Sequence, residues 1–270
     1  KIETEWAGVF DHRGVGVAPQ IAEKVRTGIK SKLVELAHAY GPLRATVKAA
    51  RPDVVFSPYC TGVYNLLGQV SRELGIPAVM VTHGTHVPPR DSLSEIEQRR
   101  LSQSLMLAPT YEYTVAQSPW AARHASYFGA KERTFNSGPI LYARTDAGER
   151  ERLRQSLELD DGMVVIVYAV TQKLRSSVKF HMFETEDEYL ASMSDLVQAV
   201  NQMDRVHLIL KLHPASKLTD AAMRSLLPDC DHMSVLHKEP FSQVLSAADL
   251  LVSYSSTTIE EAILNGVPVV

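Results

Sequence analysis

Short apolar runs alternate with polar and amphipathic stretches along most of the chain, and this alternation predicts an α/β fold. In the first half, apolar runs at 54–56 and 78–82 flank a predicted helix at 61–74. A strand, a helix and a second strand in this order are typical of a parallel sheet with crossover helices. We therefore expect the strands of the first half to form one parallel sheet.

The first half contains further elements of both kinds. Residues 19–50 carry apolar side chains at three- and four-residue steps, which predicts a helix. We expect this helix to break near Gly41-Pro42, because proline removes a backbone donor. The remaining predictions for this half are helices at 92–108 and 119–128, a strand at 115–118 and a strand end near Ile140.

The second half contains the most continuous run of β-branched residues, Met163 to Val170. Such a run predicts a central strand that is buried on both faces of its sheet. We predict the other elements of this half as strands at 207–212, 234–236 and 249–252 and helices at 187–203, 220–227 and 241–247. A last helix is predicted to begin after the hydroxyl cluster at 255–258.

A charged and polar segment, residues 142–162, separates the two halves and includes a predicted helix at 148–157. We therefore predict a first domain at 1–141, an interdomain segment at 142–162 and a second domain at 163–270. The chain stops at Pro268-Val269-Val270, within a predicted strand. We accordingly expect the pair of domains to be incomplete at both ends.

Composition argues against several classes of function. The net charge is -3 and the sequence pI is near 6.4, so nucleic acid is not an expected partner. No apolar run of about 18 residues predicts a membrane span. The only two cysteines, Cys60 and Cys230, lie far apart, which fits a reducing cytoplasm. The scattered histidines lack metal-ligand spacing, so we expect no metal ion.

Polar residues follow three of the predicted strands: His83, His213 and the cluster Ser255, Ser256, Thr257 and Thr258. In open α/β sheets, ligands bind at the carboxyl ends of the strands. Imidazole titrates near neutrality, so His83 suits a general base for an alcohol, and His213 suits a donor to a phosphate. We interpret Lys211 as a surface lysine whose aliphatic stem lies along the protein.

The hydroxyl cluster has two interpretations, which this stretch alone leaves open. Its side chains can cap the following helix, with Ser256 or Thr257 paired to Glu260. Alternatively, hydroxyls and free N–H groups at a helix N-terminus can bind a phosphate. The two interpretations are compatible with each other.

The cluster and the helix after it resemble a known signature. Ser255-Ser256-Thr257-Thr258-Ile259-Glu260-Glu261-Ala262, followed by Gly266 and Pro268, is similar to the SGGxxEEAxxxGxP motif of UDP-N-acetylglucosamine 2-epimerases and related transferases. The resemblance implies that Ser255, Ser256 and Thr257, with Thr258, hold a diphosphate and that Glu261 binds ribose. Ser256 and Thr257 replace the two glycines of the motif, which is a departure from the epimerase pattern.

Two further motifs resemble a different group of enzymes. Lys211-Leu212-His213-Pro214 is similar to the HP motif of bacterial capsule glycosyltransferases, sialyl- and Kdo-transferases and CDP-glycerol glycerophosphotransferases, whose histidine contacts the donor phosphate. His83-Gly84-Thr85 resembles the HGT motif of the glycerophosphotransferases, in which the histidine is implicated as the base. The tryptophan and lysine that complete that motif are absent. Glu239-Pro240-Phe241 resembles the base-binding turn of GT-B enzymes, and we add Lys173 to the expected phosphate-binding residues.

These resemblances imply the GT-B fold, two Rossmann-like domains that face each other across a cleft. The first would bind the acceptor and the second a nucleotide donor. The implied function is a cytoplasmic glycosyltransferase that moves a sugar or sugar-like group from a UDP-, CDP- or CMP-linked donor to a glycan or glycolipid hydroxyl in bacterial surface polysaccharide or capsule synthesis. No cofactor beyond the donor is expected, and peripheral association with the inner face of the membrane is compatible with this function. The alternatives are a UDP-N-acetylglucosamine 2-epimerase-like isomerase and a non-catalytic GT-B-like binding subunit.

Overall fold

The computed structural model describes residues 3–5, 7–12, 14–82, 84, 88–105, 107, 110–170, 186–254 and 256–270. The chain divides into two compact units, Lys1–Gly138 and Pro139–Val270. Each unit contains a parallel sheet with its own crossover helices. Among the described residues, no helix is both long enough and apolar enough to cross a lipid bilayer.

The first unit is an α/β unit preceded by a small antiparallel hairpin. Its elements in chain order are β1 (Asp11–His12), β2 (Val15–Gly16), α1 (Ala18–Ala50), β3 (Val55–Ser57), α2 (Gly62–Glu73), β4 (Ala78–Val81), α3 (Ser92–Leu105), β5 (Tyr113–Ala116), α4 (Pro119–Tyr127) and β6 (Thr134–Asn136). Strands β3 to β6 pair in parallel in chain order. The parallel sheet predicted for the first half is confirmed.

The predicted break in the first helix is wrong. Helix α1 continues through Pro42 to Ala50, although proline supplies no N–H for the helical hydrogen bond. Contact with α2 supports α1 on this side, and the Tyr40 hydroxyl donates to Glu73 of α2 at 2.6 Å. Packing of α1 against α2 therefore accounts for an uninterrupted helix where local propensity favours an end.

The predicted strand end near Ile140 is also wrong. The strand that pairs with β5 is β6, Thr134–Asn136. After it, Gly138 adopts a φ of 72°, a conformation that glycine accepts without steric cost. The strand ends before Gly138-Pro139, so Ile140 lies in irregular structure, and its side chain is exposed.

The second unit alternates helices and strands from its beginning. Its elements are α5 (Ala147–Ser156), β7 (Val164–Ala169), α6 (Glu186–Val200), β8 (Val206–Lys211), α7 (Asp220–Ser225), β9 (Met233–Leu236), α8 (Phe241–Ala247), β10 (Leu250–Val252) and α9 (Thr258–Leu264). The strand order is β10-β7-β8-β9, all parallel. The chain thus builds the sheet from β7 towards β9 and then returns to the other side of β7.

This second sheet is covered on both faces, as the apolar run at 163–170 predicts. Side chains alternate along β8: Leu208 and Leu210 pack with α6 and α7 on one face, and Ile209 packs with α5, α8 and α9 on the other. Alternation of this kind is what a strand buried on both faces requires. Apolar burial on both faces therefore stabilises the unit that contains most of the candidate site.

Residues 142–162 lie within the second unit and not between the units. Leu153 of α5 belongs to the core beneath the sheet. The buried Arg154 donates to the carbonyls of Asp160 and Met163 at 3.0 and 2.8 Å. Arg154, one of the charged residues that make this segment resemble a linker, thus attaches α5 to the turn that leads into β7.

Candidate functional site

The carboxyl edge of the second sheet brings together several of the predicted site residues. Leu212-His213 follows β8, His237-Lys238-Glu239 follows β9, and residues 253–258 follow β10. Strand order reverses between β7 and β10, and ligands of open α/β sheets bind where such a reversal occurs. Since β7 lies between β8 and β10, two strand spacings, about 10 Å, separate the ends of those strands.

His213 has a defined ring orientation at this edge. Its Nδ1 accepts a hydrogen bond from the backbone N–H of Ala215 at 3.1 Å, and its carbonyl accepts from the N–H of Ser216 at 2.8 Å. Because Nδ1 acts as an acceptor, the proton of the neutral ring lies on Nε2. The imidazole is exposed, and its N–H is therefore on Nε2.

Lys211 is buried, which corrects its interpretation as a surface lysine. Its residue exposure is 4%, and its ammonium donates to the carbonyl oxygens of Leu212 and His237, both at 2.9 Å. Burial lowers the pKa of this lysine, and the carboxylate of Glu239 acts in the opposite direction. The sequence alone suggests a surface position because the buried ammonium is satisfied by the His237 carbonyl, 26 residues away, and local sequence does not reveal such a partner.

The hydroxyl cluster caps the last helix through Ser256. The Ser256 hydroxyl accepts from the N–H of Thr258 at 3.3 Å, and the Thr258 hydroxyl lies 3.2 Å from that of Ser253. Thr257 makes no side-chain cap hydrogen bond. On the same helix, the Glu260 carboxylate accepts a hydrogen bond from the Tyr142 hydroxyl.

A segment that sequence reasoning did not assign to the site, residues 142–145, lies along α9. Asn265, which follows α9, donates through Nδ2 to the Ala143 carbonyl and accepts from the Thr145 N–H, both at 2.9 Å. Burial raises the pKa of Glu261, and a hydrogen bond from the Ala143 backbone opposes that rise. Glu261, the predicted ribose ligand, is therefore half-buried beside residue 143, and no spacing rule in the sequence indicates this pairing.

Phe241 is the first residue of α8, and Pro240 lies at its N-cap position. Its ring is partly buried against the core formed by α5, α8 and the sheet. Beside it, Glu239 has a buried carboxylate oxygen, Oε2, that accepts no hydrogen bond from any described residue. The base-binding role of this turn stays a prediction.

At the edge of the first sheet, the structure describes the residue before His83 but not His83 itself. Thr82 is buried, and its carbonyl accepts a hydrogen bond from the side chain of Gln117 at 2.6 Å. Lys173 and Ser255 also lie outside the described residues, so their predicted roles stay predictions. Within the part of the chain that the structure describes, no three histidine, cysteine or acidic side chains are grouped to hold a metal ion.

Comparisons with known proteins define the fold. No protein-family model and no curated protein matches the sequence. Solved structures match it, among them S. aureus MnaA with UDP (14% identity, TM-score 0.62, 87% of this chain and 62% of that one). A second is UDP-GlcNAc 2-epimerase from Neisseria meningitidis bound to UDP-GlcNAc, with 15% identity and a TM-score of 0.60 over 87% of this chain and 63% of that one. A third is the glycotransferase of kitacinnamycin, with 17% identity and a TM-score of 0.55 over 89% of this chain and 63% of that one.

These matches show that the chain has the GT-B fold, as the resemblance implied. At sequence identities this low, similarity to a solved structure establishes the fold of the chain but not the reaction that it catalyses. The chain spans less than two thirds of the length of each of these three structures.

Proposed function

We propose that this chain is part of a GT-B glycosyltransferase that transfers a sugar or sugar-like group from a nucleotide-activated donor to an acceptor hydroxyl. The observation that carries the proposal is the Nδ1 hydrogen bond of His213, because it fixes the ring and places its proton on Nε2 at the ligand-binding edge of a parallel sheet. The reversal of strand order beside β10 supports a donor site at the same edge.

The proposed reaction uses this donor on the leaving group. The acceptor oxygen bonds to the anomeric carbon while the bond from that carbon to the phosphate oxygen breaks, and the nucleoside phosphate leaves with the electron pair. His83 takes the acceptor proton. The Nε2–H of His213 and hydroxyls of the cluster Ser255–Thr258 stabilise the negative charge that develops on the phosphate. In this proposal Lys173 also contacts phosphate, Glu261 the ribose and Phe241 the nucleobase.

The donor classes in this proposal are UDP-, CDP- and CMP-linked sugars. The acceptor is a glycan or glycolipid of the bacterial surface or capsule, which the resemblance of the HP and HGT motifs favours. No metal ion takes part, since hydroxyl and imidazole donors supply the stabilisation of the phosphate.

A second candidate is an isomerase of the UDP-GlcNAc 2-epimerase type. Two of the structures that match the chain with high TM-scores are MnaA with UDP and an epimerase with UDP-GlcNAc, and the Glu260-Glu261 pair stands where the epimerase signature has its glutamates. The replacement of both signature glycines by Ser256 and Thr257 argues against this candidate, because a side chain restricts the approach of a diphosphate to the backbone.

A panel of UDP, CDP, CMP and GDP tests donor binding, because a ligand that binds the native state raises the melting temperature. A rise with CMP or CDP supports the transferase, and a rise with UDP alone favours the epimerase branch. Incubation with UDP-GlcNAc and no acceptor then separates the two, since only an epimerase isomerises it. Binding without either reaction would identify a non-catalytic binding subunit. Retention of full transfer activity by both His83→Ala and His213→Ala would refute the proposed roles.

A further inference from the structure

Lys211 is the only charged residue of β8, and its side chain is buried at the carboxyl end of that strand. A buried ammonium is unfavourable unless it is hydrogen-bonded or paired with a negative charge. Its described hydrogen-bond partners are two backbone carbonyls, those of Leu212 and His237, each at 2.9 Å from Nζ. Lys211 thus binds the backbone at the start of two loops.

The two carbonyls belong to the loops that contain predicted donor-site residues. Leu212 is joined by a peptide bond to His213, whose ring is oriented by the next turn. His237 is the residue after β9, and the chain continues from it through Glu239-Pro240-Phe241. A single ammonium therefore fixes the distance between the first peptide of the His213 loop and the first peptide of the turn that precedes α8.

The strand register makes this arrangement specific to Lys211. In the parallel pairing, Lys211 is opposite Leu236 of β9 and Ala169 of β7, so it lies in the middle of the sheet with a strand on each side. A side chain that ends in a flexible donor can reach from this position to its own loop and to the loop of β9. Lys217, in the same loop but farther from the strand, is exposed.

We propose that Lys211 is a positioning residue for the donor site: it holds the His213 loop and the turn at 238–241 in register, so that the phosphate and nucleobase contacts lie at a fixed separation. Lys211 acts through the backbone of the two loops, since its ammonium donates to the carbonyl oxygens of Leu212 and His237. This inference rests on the proposed function for its ligand, and the orientation of the His213 ring tests it independently of any ligand.

The test compares Lys211→Met with Lys211→Arg, Lys217→Met and Val197→Ala. Lys211→Met keeps the aliphatic stem but removes the hydrogen-bond donors, and Lys211→Arg restores donors. Two controls accompany them. Lys217→Met removes an exposed lysine, and Val197→Ala weakens the packing of the buried face of α6, far in sequence from either loop. In ¹⁵N-histidine-labelled protein, ring nitrogen shifts report the tautomer of His213. We expect Lys211→Met to lose the single Nε2–H tautomer, whereas Lys211→Arg, Lys217→Met and Val197→Ala keep it.

UDP affinity is measured on the same variants by calorimetry. We expect Lys211→Met to bind UDP about tenfold more weakly, the effect of losing one hydrogen bond to a charged group, and Lys211→Arg to recover most of that loss. Unchanged His213 shifts in Lys211→Met, or equal loss of affinity in Val197→Ala, would overturn the proposal. If wild-type protein binds none of UDP, CDP and CMP, the donor assignment fails while the ring shifts still decide the role of Lys211; if it binds CDP or CMP but not UDP, that nucleotide replaces UDP in the calorimetry. Should Lys211→Met not fold, Lys211→Gln is measured by the same two readouts.

Discussion

The side chain of Gln117 donates through Nε2 to the carbonyl oxygen of Thr82 at 2.6 Å, and both residues are 2% exposed. Gln117 follows β5 and Thr82 follows β4, so this hydrogen bond joins the carboxyl ends of two adjacent parallel strands. Lys211 makes the equivalent connection in the second sheet by binding the carbonyl of His237. In each unit, a buried polar side chain thus joins the carboxyl ends of two neighbouring strands. A candidate histidine, His83 or His213, follows one of those strands in the sequence.

Replacement of Gln117 by leucine tests this connection in the first unit. The variant keeps most of the side-chain volume but leaves the buried Thr82 carbonyl without its donor, which we expect to lower the free energy of unfolding by about 1–3 kcal/mol. Urea denaturation measures the difference. Gln69→Leu is the matched control, because Gln69 makes its hydrogen bond to Glu73 on an exposed helix surface. If the two substitutions lower the free energy of unfolding equally, the hydrogen bond to Thr82 stabilises the protein no more than an exposed one does.

Local sequence rules predict the order and type of most elements, because apolar periodicity reflects burial directly. The strand at 163–170 is an example: β7 spans Val164–Ala169 and is covered on both faces. The rules fail where a distant partner decides the outcome. Pro42 remains in a helix that packs on α2, and the charged segment around Arg154 belongs to a core that includes residues from β7 and α8.

The candidate site shows the same division between local and distant information. His213 is found from its position after an apolar strand and from its motif, both of which are local. The burial of Lys211 and the contact of Tyr142 with Glu260 depend on pairs separated by 26 and 118 residues. Neither pair has a characteristic spacing. The residue types alone therefore lead to the prediction of a surface position for Lys211 and of an interdomain segment for Tyr142.

The carboxylate of Asp249 connects α5 to the sheet, which makes its removal a test of whether α5 is integral to the second unit. Asp249 accepts from Arg150 and from the N–H of Val165, both at 2.8 Å, and lies 3.8 Å from the guanidinium of Arg154. Asp249→Ala leaves the buried Arg154 without its carboxylate, and we expect a loss of about 2–4 kcal/mol in the free energy of unfolding.

Hydrogen exchange measures the same variant locally. We expect the amides of α5 to exchange faster in Asp249→Ala than in wild-type protein, because the contacts that hold α5 are weakened. Asp195→Ala, on the exposed face of α6, is the control and should change stability by no more than about 0.5 kcal/mol. Unchanged exchange in α5 would mean that Asp249 does not hold this helix.

His207 predicts a pH dependence of stability. Burial, followed by smaller effects of nearby positive charges, lowers its pKa from 6.5 to about 4, and its Nε2 lies 2.9 Å from the Ser234 hydroxyl. In the unfolded chain the His207 ring is therefore protonated as pH falls below about 6.5, whereas in the folded protein it stays neutral until about pH 4. Stability from the neutral ring is present above pH 6.5 and is lost as pH falls towards 4, by roughly 2 kcal/mol between pH 7 and pH 5.

Urea denaturation of wild type and His207→Leu at pH 7 and pH 5 checks this expectation. The leucine variant lacks the titrating group, so the difference in unfolding free energy between the two proteins should change by roughly 2 kcal/mol over this interval. His38→Leu, at an exposed position of α1, should follow the wild type at both pH values. Parallel pH profiles for wild type and His207→Leu would contradict the burial of a neutral histidine.

The two glutamates of α9 are distinguished by their partners. The Glu260 carboxylate accepts from Tyr142, whereas Glu261 is half-buried with a raised pKa caused by burial. We expect Glu261→Gln to weaken UDP binding about tenfold, through loss of a charged acceptor for ribose hydroxyls. Glu260→Gln and Tyr142→Phe should leave UDP affinity within about threefold of wild type while lowering the melting temperature. Calorimetry that finds the larger loss in Glu260→Gln would reverse the assignment.

The orientation of the His213 ring predicts different outcomes for two amide replacements. Nδ1 is engaged with the N–H of Ala215, so a ligand is recognised by Nε2 in the proposed site. Glutamine can place its amide near the position of Nε2, whereas asparagine reaches only the position of Nδ1. We expect His213→Gln to keep UDP affinity within about threefold, and we expect His213→Asn and His213→Ala each to lose about tenfold. His232→Asn, at an exposed position, should bind UDP as wild type does. If asparagine preserves binding and glutamine abolishes it, the contact is made through Nδ1, and the Ala215 hydrogen bond must break when the nucleotide binds.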